Sequence, residues 1–172
     1  MEEAYRISDP EVLKVVAHPL RVRLLAHLRA DGPATASQLG RTVGESSGST
    51  SYHLRELAKY GFIEEDPSPD GRERRWRARH RITSWDPEEM SATPEGREAD
   101  RIMRLRQVET LGRAVQESDE GGLSDYLVRL PPEGLREFEE RATALVRELE
   151  ERYADHEDNR SVHIWLGGFL WS

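Results

Sequence analysis

The chain has 172 residues, of which 36% are hydrophobic and 34% charged, a balance typical of one or two small domains with a heavily charged surface. It contains no cysteine, which excludes disulfides, thiolate metal ligands and thiol redox sensing. There is no run of about 18 apolar residues, and the opening MEEAYRISDP is acidic. The sequence therefore predicts neither a membrane span nor a secretion signal, and we expect a cytoplasmic protein.

The first predicted elements are two helices. Asp9 and Pro10 form a cap followed by a first-turn proline, and apolar residues follow at positions 12, 13, 15 and 16. Pro19 opens a second helix with a leucine-rich face, and Gly32 ends it.

A pair of shorter helices follows. Thr35 and Gln38 have the spacing of a capping box, in which each side chain satisfies a backbone donor of the other residue. Gly44 allows a sharp turn, and Ser46 caps a further helix that runs to about Tyr60. The order of these signals predicts two short helices joined by a sharp turn.

The next predicted element is a hairpin. Residues 62–64 favour a strand, residues 67–71 (PSPDG) a turn, and residues 72–78 the return strand. Residues 79–92 show little periodicity and are interpreted as a connector.

The second half of the chain is predicted to be mainly helical. One long helix spans about 93–117, residues 119–122 break it, and residues 126–130 favour a strand. A second long helix follows the two prolines at 131 and 132, and its apolar seam is close to a heptad pattern, which predicts lengthwise packing on another helix. Residues 161–171 favour a strand with an aromatic tail. The heptad-like seam consists of Leu135, Phe138, Ala142, Leu145, Leu149 and Tyr153.

The net charge of −8 is unevenly distributed. Residues 1–83 contain 14 Lys and Arg against 12 Asp and Glu, giving +2, whereas residues 84–172 contain 11 against 21, giving −10. Six arginines lie between positions 72 and 81, with Glu73 as the one acid among them. A local basic segment favours phosphate binding more than the overall charge opposes it.

The helix at 46–60 has the features of a DNA-reading helix. The major groove of B-DNA admits one α-helix, which needs an apolar back and a polar front of short donors and acceptors. Leu54 and Leu57 supply the back. We assign to the predicted DNA interface residues of the helix pair and of the hairpin: Ser37, Gln38, Ser47, Ser49, Thr50, Tyr52, His53, Arg55, Arg72, Arg74, Arg75 and Arg77.

These segments resemble a known family. Residues 16–25 (VAHPLRVRLL), 46–57 and the hairpin residues around 61–63 and 71–72 are similar to the second helix, recognition helix and wing of ArsR-type winged helix-turn-helix transcriptional regulators. The resemblance covers about residues 9–80 and implies a homodimer that controls nearby genes. It implies base reading by Ser47, Ser49, Tyr52 and His53, with wing contacts from arginines 72, 74 and 75.

Metal sensing does not follow from the resemblance. The metal-sensing branch of the family uses a cysteine pair before the recognition helix, or histidines and carboxylates in the dimer helix. Here residues 35–40 read TASQLG, and residues 94–117 contain no histidine. His156 and His163, near Glu157 and Asp158, form only a weak ligand set. We predict no metal and no cofactor.

Other functions were weighed against DNA binding. The chain has no glycine-rich phosphate loop and no glycine-flanked serine nucleophile, so we predict that it is not an enzyme. The case for RNA binding is weak, because no aromatic stacking platform on a sheet is evident. The competing class is a winged-helix protein–protein adaptor. The aromatic tail, with Trp165, Phe169 and Trp171, favours burial or a dimer seam, and less strongly a pocket for a small apolar effector.

The complete prediction is an α+β, mainly α, chain. A winged helix-turn-helix DNA-binding domain occupies residues 1–84, and a helical dimerisation and effector region occupies residues 85–172. The predicted function is sequence-specific binding of double-stranded DNA, as a homodimer on an inverted-repeat operator, for the control of transcription.

Overall fold

The computed structural model describes residues 2–67, 73–117, 119–160 and 162–166. The chain divides into two compact units, Met1–Arg113 and Ala114–Ser172. The described residues are mostly helical and include two small sheets, which confirms the predicted α+β, mainly α, class.

The four helices predicted in the first half are present at the expected positions. They are α1 (Pro10–Val16), α2 (Pro19–Ala30), α3 (Ala36–Val43) and α4 (Ser47–Lys59). The capping signals act as predicted, because the Glu11 amide donates to the Asp9 carboxylate over 2.8 Å. Both bonds of the capping box also form: the Thr35 amide donates to Gln38 Oε1 over 2.8 Å, and the Gln38 amide to Thr35 Oγ1 over 3.2 Å.

The turn between α3 and α4 is tight. Gly44 has a φ of 73°, a left-handed conformation that favours glycine, and the Glu45 amide donates to the Gly40 carbonyl over 2.8 Å. A Cβ added to Gly40 would lie 2.8 Å from the Glu45 carbonyl oxygen and 3.1 Å from Thr50 Oγ1. Gly40 therefore lets the two helices approach closely.

A three-stranded antiparallel sheet lies beside these helices. Its strands are β2 (Ala34–Thr35), β3 (Ile63–Asp66) and β4 (Arg75–Ala78), in the order β2-β4-β3. The predicted hairpin is therefore present as β3 and β4, and most of its predicted turn lies outside the described residues. The two residues of β2 were not predicted, since so short a strand leaves no periodic pattern.

The interpretation of residues 79–92 as a connector was wrong. They form β5 (His80–Trp85) and a short helix, α5 (Pro87–Ser91). Strand β5 pairs in parallel with β1 (Glu2–Ile7), an N-terminal strand that sequence reasoning missed. The pairing joins segments nearly eighty residues apart in sequence, so neither strand has a local signal of its partner.

Helix α2 and helix α6 (Pro94–Glu117) are both bonded to β5. The Arg29 guanidinium donates to the His80 carbonyl over 3.0 Å and to Thr83 Oγ1 over 2.7 Å. Trp85 Nε1 donates to Asp100 over 2.8 Å. Through these bonds and the buried side chains of Ala99 and Met103, the first part of α6 belongs to the core of the first unit, which continues past the predicted boundary at residue 84.

The core of the first unit draws on all of these elements. Its buried residues come from α1 to α5, both sheets and the start of α6. The largest fully buried side chains are Ile7, Leu13, Val16, Leu24, Thr50, Leu54, Leu57, Phe62, Ile63 and Met90.

The second unit contains the end of α6 and α7 (Pro132–Arg152), two helices that the sequence predicts. The strand predicted at 126–130 was wrong: these residues, all of which are described, form no strand, and Tyr126 is 83% exposed. A lone apolar segment cannot persist as a strand without a partner to complete its hydrogen bonds. Described residues 162–166 likewise form no strand, whereas Phe169 and Trp171 lie outside the described residues.

Helix α7 leaves its predicted seam uncovered in the single chain. None of its residues, all of which are described, is buried. Phe138 is 47% exposed and Leu145 53% exposed. The lengthwise packing on another helix that the heptad pattern predicts therefore stays a prediction.

Candidate nucleic-acid interface

The outer face of α4 is a polar, cationic stripe. Tyr52, Arg55 and Lys59 follow one another at spacings of three and four residues, which places them on one side of the helix. All three are exposed, and Tyr52 is 57% accessible. The opposite side carries the fully buried Leu54 and Leu57. The helix thus has the buried back and exposed front that groove insertion needs. Sequence reasoning missed Lys59, although its spacing from Tyr52 and Arg55 was available.

Small hydroxyl residues surround the beginning of α4. Ser46 Oγ accepts the Ser49 amide over 3.1 Å and caps the helix. Ser47 is exposed, and Ser49 is half-buried. In the first turn of α3, Ser37 is exposed, as is Gln38, whose side-chain oxygen is held by the capping box.

Two of the predicted reading residues do not face outward. Thr50 is fully buried, and its hydroxyl donates to the Ser46 carbonyl over 2.9 Å. The position lies on the buried side with Leu54, four residues on, so the single chain does not present Thr50 on the outer face of α4. His53 is half-buried, and its ring contacts the His18 ring in a tilted arrangement with 4.4 Å between ring centroids. The structure therefore turns His53 toward α2 rather than toward the exposed stripe.

Two hairpin arginines, one within β4 and one just before it, face carboxylates of β3. Arg77 lies 2.8 Å from Glu64, with which it is paired in the strand register. Arg74 lies 3.1 Å from Glu65. The sequence count of arginines along one strand overlooked the acids opposite, and the hairpin is consequently less cationic than the segment 72–81 alone indicates.

The remaining hairpin arginines have different positions. Arg75 is half-buried and donates to the Pro33 carbonyl over 2.7 Å, which ties β4 to the segment before β2. Arg72 lies outside the described residues. Of the predicted set on β4 and just before it, Arg74 and Arg77 are exposed.

A groove joins α4 to the hairpin. Its volume is about 190 Å³, and it is lined by Ala36, Ser51, Arg55, Arg74 and Trp76. Arg55 Nε donates to the Ser51 carbonyl over 3.1 Å. The Arg74 guanidinium lies 5.7 Å from the centre of the Trp76 ring. Two guanidinium groups on one groove match the charge of a phosphate, which guanidinium donors bind in bidentate geometry.

Other kinds of site receive little support from the described residues. No group of three or more His, Asp or Glu among them could hold a metal ion. Of the helices in the described part of the chain, none has the length and apolarity needed to cross a membrane.

Comparison with known proteins agrees with the geometry of α3 and α4. A model of a helix-turn-helix domain family matches residues 16–66. The matched segment runs from the end of α1 to the end of β3 and includes the whole outer stripe of α4. This match supports a DNA-binding regulator of the helix-turn-helix type. Among curated proteins, no match to the chain was found.

Proposed function

We propose that the protein is a sequence-specific regulator of transcription that binds double-stranded DNA. The observation that carries the proposal is the outer stripe of α4, with Tyr52, Arg55 and Lys59 exposed above a fully buried back. In this proposal α4 enters the major groove, α3 lies across the backbone, and the β3–β4 hairpin is the wing of a winged helix-turn-helix of ArsR type.

The groove between α4 and the hairpin supports a division of roles. Arg55 and Arg74, on its rim, bind the DNA backbone and contribute affinity that does not depend on sequence. Tyr52 and the serines at the start of α4, Ser47 and Ser49, contact base edges. The proposal includes no metal and no cofactor.

We further propose that the regulator acts as a homodimer. Apolar side chains of α6 and α7 are exposed in the single chain, among them Leu105, Val108 and Leu145, each more than half accessible. Contact with a second copy would cover such side chains, in line with a role of residues 85–172 in dimerisation. A two-fold dimer places two reading helices about 34–36 Å apart on an inverted repeat.

The test is a gel-retardation series with selected and random duplexes. Selection from a random duplex pool gives the half-site and its symmetry. Arg55→Ala and Arg74→Ala should weaken retardation of every duplex and reduce the salt dependence by about one unit of slope for each lost phosphate contact. Arg141→Ala is the matched control, because Arg141 also pairs with a glutamate, over 3.1 Å, but lies on α7.

The result that contradicts the proposal is clear. If Arg55→Ala and Arg74→Ala bind duplex DNA as the unmodified protein does, or if no duplex is retarded at low salt, the α4 face is not a DNA interface. Selection of a single half-site without symmetry would contradict the homodimer alone and leave DNA binding standing.

One observation favours a second candidate, a winged-helix adaptor that binds a protein. The pairing of Arg74 with Glu65 and of Arg77 with Glu64 makes the hairpin a mixed-charge surface, which is typical of protein interfaces with complementary charges. An adaptor shows no retardation of random duplex at low salt, whereas the proposed regulator does.

A further inference from the structure

Basic side chains from three helices converge on the inner side of α4. His18 is the N-terminal cap of α2, and its Nδ1 accepts the Leu20 amide over 3.2 Å. The rings of His18 and His53 are in contact, with 4.4 Å between their centroids and a tilt of 35° between their planes. Arg21 of α2 acts electrostatically on both rings, and Arg106 of α6 acts on His18. We call these four side chains the basic cluster.

The basic cluster contains polar atoms that the fold leaves unsatisfied. Arg21 Nε, His53 Nδ1 and Arg106 Nε are buried and have no hydrogen-bond partner among the residues that the structure describes. A buried donor without an acceptor costs about 1–3 kcal/mol, and more when it is charged. Two of these atoms are arginine donors, and His53 Nδ1 is a donor when it carries a proton. A bound anion would satisfy all three with His53 protonated at that atom.

Acidic groups also lie near the cluster. Glu45 and Glu56 act on His53, and Glu109 lies 2.7 Å from Arg106 Nη1. Even so, the pKa of His18 is lowered, by burial first and then by His53, Arg21 and Arg106. The pKa of His53 is lowered as well, by burial and then by Arg21, and the two glutamates oppose this only partly. Because burial is the first cause of both shifts, the two rings favour the neutral form until a negative charge lies beside them.

We propose that the basic cluster binds the oxyanion group of a small molecule, a phosphate or a carboxylate. Such a group offers several acceptor oxygens, which the arginine donors and a protonated histidine can share. It also supplies the negative charge that permits the two rings to gain a proton. Since His53 lies on α4 and Arg106 on α6, the ligand links the DNA-facing helix to the long helix that leads out of the first unit.

The experiment follows the imidazole signals of the histidines by NMR during pH titration of the full chain. One titration is run in a non-coordinating buffer, one with added inorganic phosphate and one with added succinate. His18→Asn, which retains a capping side chain, and His53→Gln assign the two signals. With a bound oxyanion the midpoints of His18 and His53 should rise by about one pH unit, as for an ionisable group beside an opposite charge.

Internal and matched controls separate a site from general charge effects. His27 pairs with Asp31 on the far turn of α2, and His156 lies beyond α7, so the NMR signals of both serve as internal controls that added anion should leave unchanged. Arg21→Gln should abolish the rise at His18 and His53. Arg106→Gln provides a second variant of the cluster if Arg21→Gln does not fold. The control substitution is Arg101→Gln, at an exposed position of α6 paired with Glu98.

Each other outcome overturns the proposal. Unchanged midpoints with both anions mean that the cluster binds neither, and equal shifts in all histidines indicate an adventitious ion only. A fourth titration contains duplex DNA in place of the small anion. A shift in this titration that neither small anion produces assigns the cluster to the DNA backbone instead. The small-anion titrations contain no DNA, so their result does not depend on whether the proposed DNA-binding function is right.

Discussion

The tight approach of α3 and α4 predicts that Gly40→Ala destabilises the protein. The new Cβ would lie 2.8 Å from the Glu45 carbonyl oxygen and 3.1 Å from Thr50 Oγ1, both closer than ordinary van der Waals contact. Neither neighbour yields easily, because the Glu45 amide is bonded to the Gly40 carbonyl and the Thr50 hydroxyl to the Ser46 carbonyl.

The expected change in the free energy of unfolding is the sum of two opposing effects. Overpacking of a close contact costs about 1–3 kcal/mol. Alanine in place of glycine inside a helix contributes about 1 kcal/mol of stability. Gly40→Ala should therefore lower the free energy of unfolding by roughly 0–2 kcal/mol, with the clash partly offset by helix propensity.

Gly112→Ala is the control that separates the effect of helix propensity from the effect of the clash. Gly112 lies within α6, in the same compact unit, and nothing within 4 Å would meet its Cβ. It should gain about 1 kcal/mol from propensity alone. The difference between the two variants, about 1–3 kcal/mol, then measures the clash. Urea unfolding followed by circular dichroism gives both values, with a constant m-value as the check on two-state behaviour. Equal stability of the two variants would refute the close approach of the helices.

Three further predictions concern other parts of the first unit and its charges. Because the folded-state pKa values of His18 and His53 are lowered, the unfolded chain binds more protons as pH falls through about 6.5. Stability should be constant above that range and fall below it, as urea midpoints at several pH values will show; a rise in stability on acidification contradicts the sign. Burial lowers the pKa of Arg29 to about 10. Arg29→Met removes its two bonds to β5 and should lower the free energy of unfolding in urea by about 2 kcal/mol. An unchanged urea midpoint would show that these bonds contribute nothing. Glu64→Gln should remove one of the two carboxylates beside Arg77 and so tighten binding to random duplex with a steeper salt dependence in gel retardation. Glu137→Gln on α7 should leave both unchanged, and tighter binding by both variants would mean a general charge effect.

The helices of the first unit could be predicted because their ends depend on neighbouring residues. The Thr35–Gln38 capping box and the left-handed glycine at 44 act within one turn of the chain, so the sequence alone contains the whole signal. The parallel pairing of β1 with β5 could not be predicted in this way. Its stabilising contacts join residues such as Ile7 and Trp85, and nothing local to either strand identifies its partner.

The elements of the candidate interface could be predicted from local patterns, whereas the side chains that face outward could not. The helix and hairpin were placed from local patterns, but the facing of each side chain depends on packing. Thr50 could have been assigned to the core from its spacing with Leu54 and Leu57, three residues that share one helix face. The pairing of Arg77 with Glu64 depends on the register of the two strands. The geometry of the turn between the strands sets that register, and the turn residues alone do not specify it.

The ion pairs across the hairpin have a kinetic consequence for a DNA-binding protein. An arginine that already faces a glutamate must exchange that partner for a phosphate, so binding to random DNA is weaker than the arginine content alone would give. Weak random binding shortens the residence time at each wrong position along a genome. For the proposed regulator this means a quick search and retention mainly where base contacts add to the backbone contacts, so the acidic residues of β3 would improve discrimination among sites.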